Sequence, residues 1–274
     1  LDDTDVVTLT CTTDADGVCS TSITSDEAKT YQGSATVYDV NVDGLVIGSR
    51  TSEEITVYLV DGRVVIDPLG GTLGIGEDQT LAITAELYDG TSWISTTFTS
   101  PSYDLTFAEG QTGTDSIDCG DTPEPFTQCI ITFSADSEGV VTITVTLTFT
   151  IDGAVFTRSS STSVTYVAGS LSWFKEDDSG NPLGGATFET CRVEDRHGNP
   201  VDPTDPNECI TVLDNDVIDL DSRDGFFNVG DLKLGKWELE ETVAPEGYLG
   251  DFSRVDSVIL TTDTPDGEIG RAHV

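Results

Sequence analysis

Six cysteines carry most of the covalent chemistry open to this chain. They fall as three close neighbours: Cys11 and Cys19, Cys119 and Cys129, Cys191 and Cys209. Six cysteines allow fifteen complete pairings. Neighbour pairing is favoured because each couple lies inside one stretch of strand-and-turn pattern, and it implies an oxidising, extracellular setting. Zinc is the rival reading. The spacings hold no CxxC pair, and the two histidines, His197 and His273, complete no ligand set.

Other reactive groups are scattered. His197 stands in a turn before Gly198-Asn199-Pro200, and no GxSxG elbow marks any serine as a nucleophile. An enzyme acting on an external substrate is therefore not expected. Hard oxygen ligands for calcium occur at Asp14/Asp16, at Glu176/Asp177/Asp178 and at Asp214/Asp216/Asp219/Asp221/Asp224. None follows the DxDxDG loop with its distal glutamate, so solvated turn carboxylates are the preferred reading and no cofactor is expected, with calcium the alternative.

The elements that must position such groups read as strands. Residues 141–151, VTITVTLTFTI, alternate apolar residues with threonine, the signature of a half-buried antiparallel strand. Shorter runs of the same kind lie at 80–87, 54–60 and 6–12. Turns punctuate them regularly at Asp16-Gly17, Asp43-Gly44, Asp61-Gly62, Asp89-Gly90, Glu138-Gly139 and Asp152-Gly153. Helical periodicity is absent, and 111–125 reads as a polar insertion with room for one turn. The fold class expected is all-β, built of tandem sandwiches.

Two segments narrow that class. Residues 171–188 read LSWFKEDDSGNPLGGATF, a strand ending in Lys175, a polar turn and a second strand. Residues 237–248 read WELEETVAPEGY, a strand stopped by an Ala-Pro-Glu-Gly turn. Together they resemble the Cna-B-type (SpaA-like, prealbumin-fold) domains of Gram-positive surface proteins and pilins. The TDADG turn at 13–17, with the strands on either side of it, resembles bacterial immunoglobulin-like domains of the invasin type. Three modules are expected: a partial immunoglobulin-like domain at 1–62 whose opening half is absent, a whole one at 63–168, and a Cna-B-like domain at 169–274 with an incomplete last strand.

The resemblance implies a chemistry. Its pattern places a nucleophilic lysine at Lys175 and a proton-shuttling glutamate at Glu241, members of a self-made isopeptide cross-link. Burial among Trp173, Phe188 and Trp237 would disfavour the ammonium charge and equally the carboxylate charge, so that one proton is shared between the two. The neutral amine then attacks a carboxamide or carboxyl carbon, and ammonia or water leaves. The family's acceptor lies on the final strand. With 257–262 read as the penultimate strand, 263–267 as a turn and 271–274 as the opening of the last strand, that acceptor would fall just beyond Val274. Asp263 and Asp266 are poor substitutes in their turn.

Composition sets the outer limits. Fifty Asp+Glu against 12 Lys+Arg give a formal net charge of −38. Nucleic acid is excluded as a partner, because no basic stripe exists to displace its counterions. Anionic membrane surfaces are disfavoured for the same reason, and no run approaches a membrane-spanning length. The chain has no Met, which makes Leu1 a processed or excised start. The reading that follows is a structural segment of an extracellular, cell-wall surface protein, a stalk, pilin or adhesin shaft. Its partners would be neighbouring domains or subunits of the same protein. The alternatives are an adhesin tip contacting host protein or glycan through 111–125 or 195–207, and an accessory region of a secreted hydrolase.

Overall fold

The computed structural model describes residues 8–14, 16, 18–22, 29–38, 41–42, 45–46, 48–59, 61–88, 92–120, 123–151, 154–202, 204–250, 252 and 255–272. Strands and turns account for them, with no helix among the described residues, so the chain is all-β. It divides into two compact units: Leu1–Arg63 with Glu86–Thr96, and Val64–Ala85 with Thr97–Val274.

In the first unit six short strands, β1 (Lys29–Gly33), β2 (Thr36–Val37), β3 (Asn41–Val42), β4 (Leu45–Val46), β5 (Arg50–Thr51) and β6 (Ile55–Leu59), pair antiparallel as β1–β6, β2–β5 and β3–β4. The pairs are nested in sequence, as in one long hairpin. The strand expected at 6–12 does not form over its described part, residues 8–12. There the chain turns on Asp14, whose Oδ1 accepts the amides of Asp16 and Val18. The last strand of this unit is β10 (Trp93–Thr96).

Strands β7 (Gly62–Asp67) and β9 (Gln79–Tyr88) run across the division. In the second unit β9 continues into the order β9-β13-β12, with β7 also on β9; β12 is Gly113–Asp118 and β13 Gln128–Ala135. A second sheet has the order β11-β14-β15-β8, formed by Thr99–Thr106, Gly139–Ile151, Ala154–Val167 and Thr72–Gly74. Alternation sets the core: Leu81, Ile83 and Ala85, Ile131 and Phe133, and Val141, Ile143, Val145 and Leu147 are buried. The intervening threonines of β14 face outward, where Thr142, Thr144 and Thr146 hydrogen-bond Ser163, Ser161 and Ser159 across the hairpin. Part of the expected polar insertion at 111–125 forms the edge strand β12. Five of its six residues are exposed, so this edge has little to bury.

Residues 169–272 make a separate pair of sheets. One has the order β19-β16-β22 (Phe226–Leu232, Gly169–Lys175, Asp266–Ala272) and the other β18-β17-β20-β21 (Cys209–Leu213, Thr187–Asp195, Gly235–Val243, Val255–Leu260). The last strand therefore opens at Asp266, not at Arg271, and runs parallel to β16. The expected turn contracts to the residues before it, with Thr261 N bonded to Thr264 O. Asp266 itself anchors the strand through Ser170 Oγ at 2.6 Å.

One sequence repeat is visible only in retrospect. Glu176–Pro182 and Glu194–Pro200 share the pattern E-D-x-x-G-N-P, and both close as β-bridged turns. In each, the aspartate Oδ1 accepts two backbone amides and Oδ2 the asparagine Nδ2. Those bonds, above all the one from the asparagine side chain, hold the Asp177 and Asp195 carboxyls below the ordinary range.

Candidate functional site

Strict period-two patterning decides where the candidate residues point. On β16 the inward row is Gly169, Leu171, Trp173 and Lys175; on β20 it is Gly235, Trp237, Leu239 and Glu241. A lysine and a glutamate thus occupy the last inward positions of strands on two facing sheets. Lys175 is 0% and Glu241 5% exposed, and Lys175 Nζ lies 2.9 Å from Glu241 Oε2. Two charges have been taken out of water, which costs several kcal/mol per ion unless they pair closely.

The shell around the pair is aromatic. Trp173 stacks on Phe227 at 5.1 Å between ring centroids and meets Phe188 edge-on at 5.6 Å. Trp237 is buried beside them and donates its Nε1–H to Lys233 O at 2.9 Å. The backbone of Lys175 is equally fixed: its amide donates to Gly225 O at 2.7 Å, and its carbonyl accepts Leu183 N at 2.8 Å. Gly225, at φ 75°, permits this approach. A Cβ there would sit 2.7 Å from Leu183 N and 2.9 Å from Lys175 O.

Hydrogen bonding at the site is incomplete among the described residues. Glu241 Oε1 and Trp173 Nε1 are both buried without a hydrogen-bond partner. A buried carboxylate oxygen left without a donor costs more than a neutral acceptor would. A strand paired with β16 is β22, with Ala272 opposite Lys175 in the pairing. His273 and Val274, where the sequence expectation continues toward an acceptor, lie outside the described residues. Asp263 and Asp266 are kept away: Asp266 pairs with Ser170, at the far end of β16.

Three cysteine couples are joined, Cys11–Cys19, Cys119–Cys129 and Cys191–Cys209, and no free cysteine remains. Cys191 and Cys209 face each other in the β17–β18 register. Next to that bridge sits a cluster that the sequence reading missed. Buried Arg192 binds Glu208 through Nε at 2.6 Å and Nη2 at 2.9 Å, gives Nη1 to Leu234 O, and Lys233 Nζ adds a third bond to Glu208 at 2.8 Å. Burial alone would raise the Glu208 carboxyl, but the two cations outweigh it and hold it below its ordinary value. The signal was available. Arg192 continues the inward row of Phe188 and Thr190, and each partner adjoins a cysteine.

Several of the candidate calcium carboxylates are engaged by the chain itself. Asp214 accepts Gly185 N and Gly225 N, Asp219 accepts the amides of Asn215, Asp221 and Asn228, and Asp224 accepts Asn215 Nδ2. Glu176 pairs with Arg271 at 2.8 Å. Among the described residues no group of three or more His, Cys, Asp and Glu could hold a metal ion, and no helix is long and apolar enough to cross a membrane. His197 lies in the second Asx turn, its Nε2 accepting Arg196 Nε at 3.2 Å.

Comparison with known proteins places these observations. No curated protein matches the sequence. Among solved structures, the major pilin subunit BcpA of Bacillus cereus aligns at 13% identity and a TM-score of 0.48, over 88% of this chain and 78% of that one. A C-terminal fragment of the major pilin GBS80 of Streptococcus agalactiae aligns at 15% identity and 0.47, over 78% and 99%. The full-length major pilin SpaD of Corynebacterium diphtheriae aligns at 14% and 0.46, over 85% and 77%. The family model of SpaA, described as a prealbumin-like fold domain, matches residues 169–269. The stretch it matches is the one that forms the two facing sheets carrying Lys175 and Glu241.

Proposed function

We propose that this chain is a load-bearing segment of a Gram-positive cell-surface shaft, a pilin or adhesin stalk, and that its Lys175–Glu241 pair is an isopeptide-forming site. The observation that carries the reading is the pair itself: two oppositely charged side chains buried between sheets, 2.9 Å apart, with Glu241 Oε1 left without a donor. The SpaA match over 169–269 supports the same reading. So do three disulfides, which suit an oxidising, extracellular, cell-wall location. In this reading the chain comprises modules at 1–62, 63–168 and 169–274, and its partners are neighbouring domains or subunits of the same surface protein.

The chemistry runs once. With a proton passed from Lys175 to Glu241, the neutral Nζ attacks the carbonyl carbon of a carboxamide on the C-terminal strand. A C–N bond forms to Nζ as the acceptor's own C–N bond breaks, Glu241 gives its proton to the departing nitrogen and takes the surplus proton from Nζ, and ammonia leaves; from a carboxyl acceptor the C–O bond breaks and water leaves. No turnover follows, so the protein is not an enzyme in the ordinary sense.

The test is the intact mass of the disulfide-bonded chain carried past Val274. The expected mass falls short of the sequence by one ammonia or one water, and the deficit disappears in Lys175→Ala. A full mass in the parent would sink the isopeptide reading.

A further inference from the structure

The pairing of β22 with β16 contains an irregularity beside the buried lysine. Ser170, Leu171 and Ser172 stand opposite Asp266, Gly267 and Glu268; the register then shifts, and Trp173, Phe174 and Lys175 stand opposite Gly270, Arg271 and Ala272. One residue, Ile269, is extra on β22. Such a bulge is rare between parallel strands, and it reverses which side chains face the core beyond it.

The inward positions before the bulge are known from packing. A Cβ on Gly267 would meet Leu260 at 2.7 Å and Val258 at 2.9 Å, and Ile269 packs on the core around Trp173 and Leu171. Strict alternation would make the next inward residue Arg271. Without the extra residue, the register would also set Arg271 directly opposite Lys175. A guanidinium would then enter the site that already holds an ammonium at 0% exposure, adding a second buried cation beside Glu241. With the bulge, Arg271 is instead exposed, pairs with Glu176 at 2.8 Å, and leaves Ala272 opposite Lys175. Gly270 carries the kink at φ 76°, and a Cβ added to it would meet no atom within 4 Å, so its requirement is conformational and not steric.

We infer that the Ile269–Gly270 bulge is a positioning device: it turns Arg271 out of the Lys175–Glu241 site and fixes which residue of the C-terminal strand stands beside the lysine. The Arg271–Glu176 ion pair reports this register. In the cross-linking reading, the device sets the presentation of whatever follows Ala272 to Lys175 Nζ.

The test uses the whole chain and three variants, followed by melting temperature and by backbone nuclear Overhauser contacts across β16 and β22. Gly270→Val disfavours φ 76° and should lower the melting temperature and weaken the Phe174–Arg271 contact. Adding Arg271→Ala to Gly270→Val should recover most of the loss, because the unbulged register then brings alanine, not arginine, to Lys175. Deleting Gly270 removes the extra residue while keeping Arg271 opposite Phe174, so it should melt close to the parent and keep that contact. The inference is overturned by a Gly270→Val variant that melts like the parent with its contact intact. It is equally overturned if Arg271→Ala fails to rescue, or if the deletion is as damaging as the valine. Neither readout requires the cross-link, so a parent of full mass would defeat the isopeptide reading and leave this result standing.

Discussion

At the scale of single residues, the buried ions of the two facing sheets at 169–272 differ in what their removal should do. Lys175 and Glu241 share a core position that apolar side chains hold elsewhere in the same rows, Leu171, Trp173 and Leu239. Removing one partner strands the other charge in the core, so in a chain without the cross-link Lys175→Met should destabilise by about 3–5 kcal/mol. The double change Lys175→Met with Glu241→Leu should cost far less, since no charge is left behind; denaturant titration of both variants measures the difference. Equal losses would show that the pair is held by more than its mutual charge. Glu208 brings a dependence on pH. Its folded value lies below the unfolded one near 4.3. Its contribution is therefore complete above that unfolded value and drains as pH falls through the folded value. Asp214 runs the other way: burial raises it, so its ionised form costs stability as pH rises through its folded value. Melting temperatures measured from about pH 6 to about pH 3 should fall steeply in the parent. Glu208→Gln should start lower and fall less, and an unchanged acid slope would remove Glu208 from the account.

At the scale of elements, what the sequence made legible was what alternation controls. The row Leu171, Trp173, Lys175 and the row Trp237, Leu239, Glu241 can both be read from LSWFK and WELEE, and the sheets bring their third members together at 2.9 Å. Positions set by pairing across strands were not legible. The start of β22 at Asp266 depends on the bond from Ser170, nearly a hundred residues away, and the bulge at Ile269 exists only relative to β16. Polar character misled in the same way: Gly113–Asp118 looks like a loop because an edge strand needs no apolar row. The Cys191–Cys209 bridge ties another edge strand, β18, to β17, across a separation of 18 residues. Loop closure of that size is worth about 3 kcal/mol in the chain-entropy view. Cys191→Ala with Cys209→Ala should lose about 2–4 kcal/mol in chemical denaturation, and amide exchange should rise first along β18. Exchange rising evenly through β16 and β22 instead would mean that the bridge supports the whole domain and not its edge.

At the scale of the whole molecule, folding leaves a large excess of negative charge uncompensated. Twelve cations cannot neutralise fifty carboxylates, so 38 negative charges remain even if every Lys and Arg is paired. Several cations are in fact paired locally: Arg63 with Glu86, Arg192 and Lys233 with Glu208, Arg196 with Glu77, Arg271 with Glu176. Added salt weakens both kinds of interaction, but unequally. The buried Arg192–Glu208 contact is shielded from solvent, whereas the excess carboxylates are mostly exposed and repel one another over a Debye length of roughly 30 Å at 0.01 M salt and roughly 8 Å at 0.15 M. Repulsion should therefore be lost faster than attraction. The melting temperature is expected to rise with sodium chloride over that range, most steeply at the dilute end, and then to flatten once screening reaches neighbouring side chains. Replacing sodium by calcium at matched ionic strength should raise it smoothly and without a stoichiometric endpoint, because Asp214, Asp219 and Asp224 already accept hydrogen bonds from the chain. A melting temperature that falls with sodium chloride would show that exposed ion pairs outweigh the net charge. A saturable calcium step would show that those aspartates exchange their amide partners for a metal.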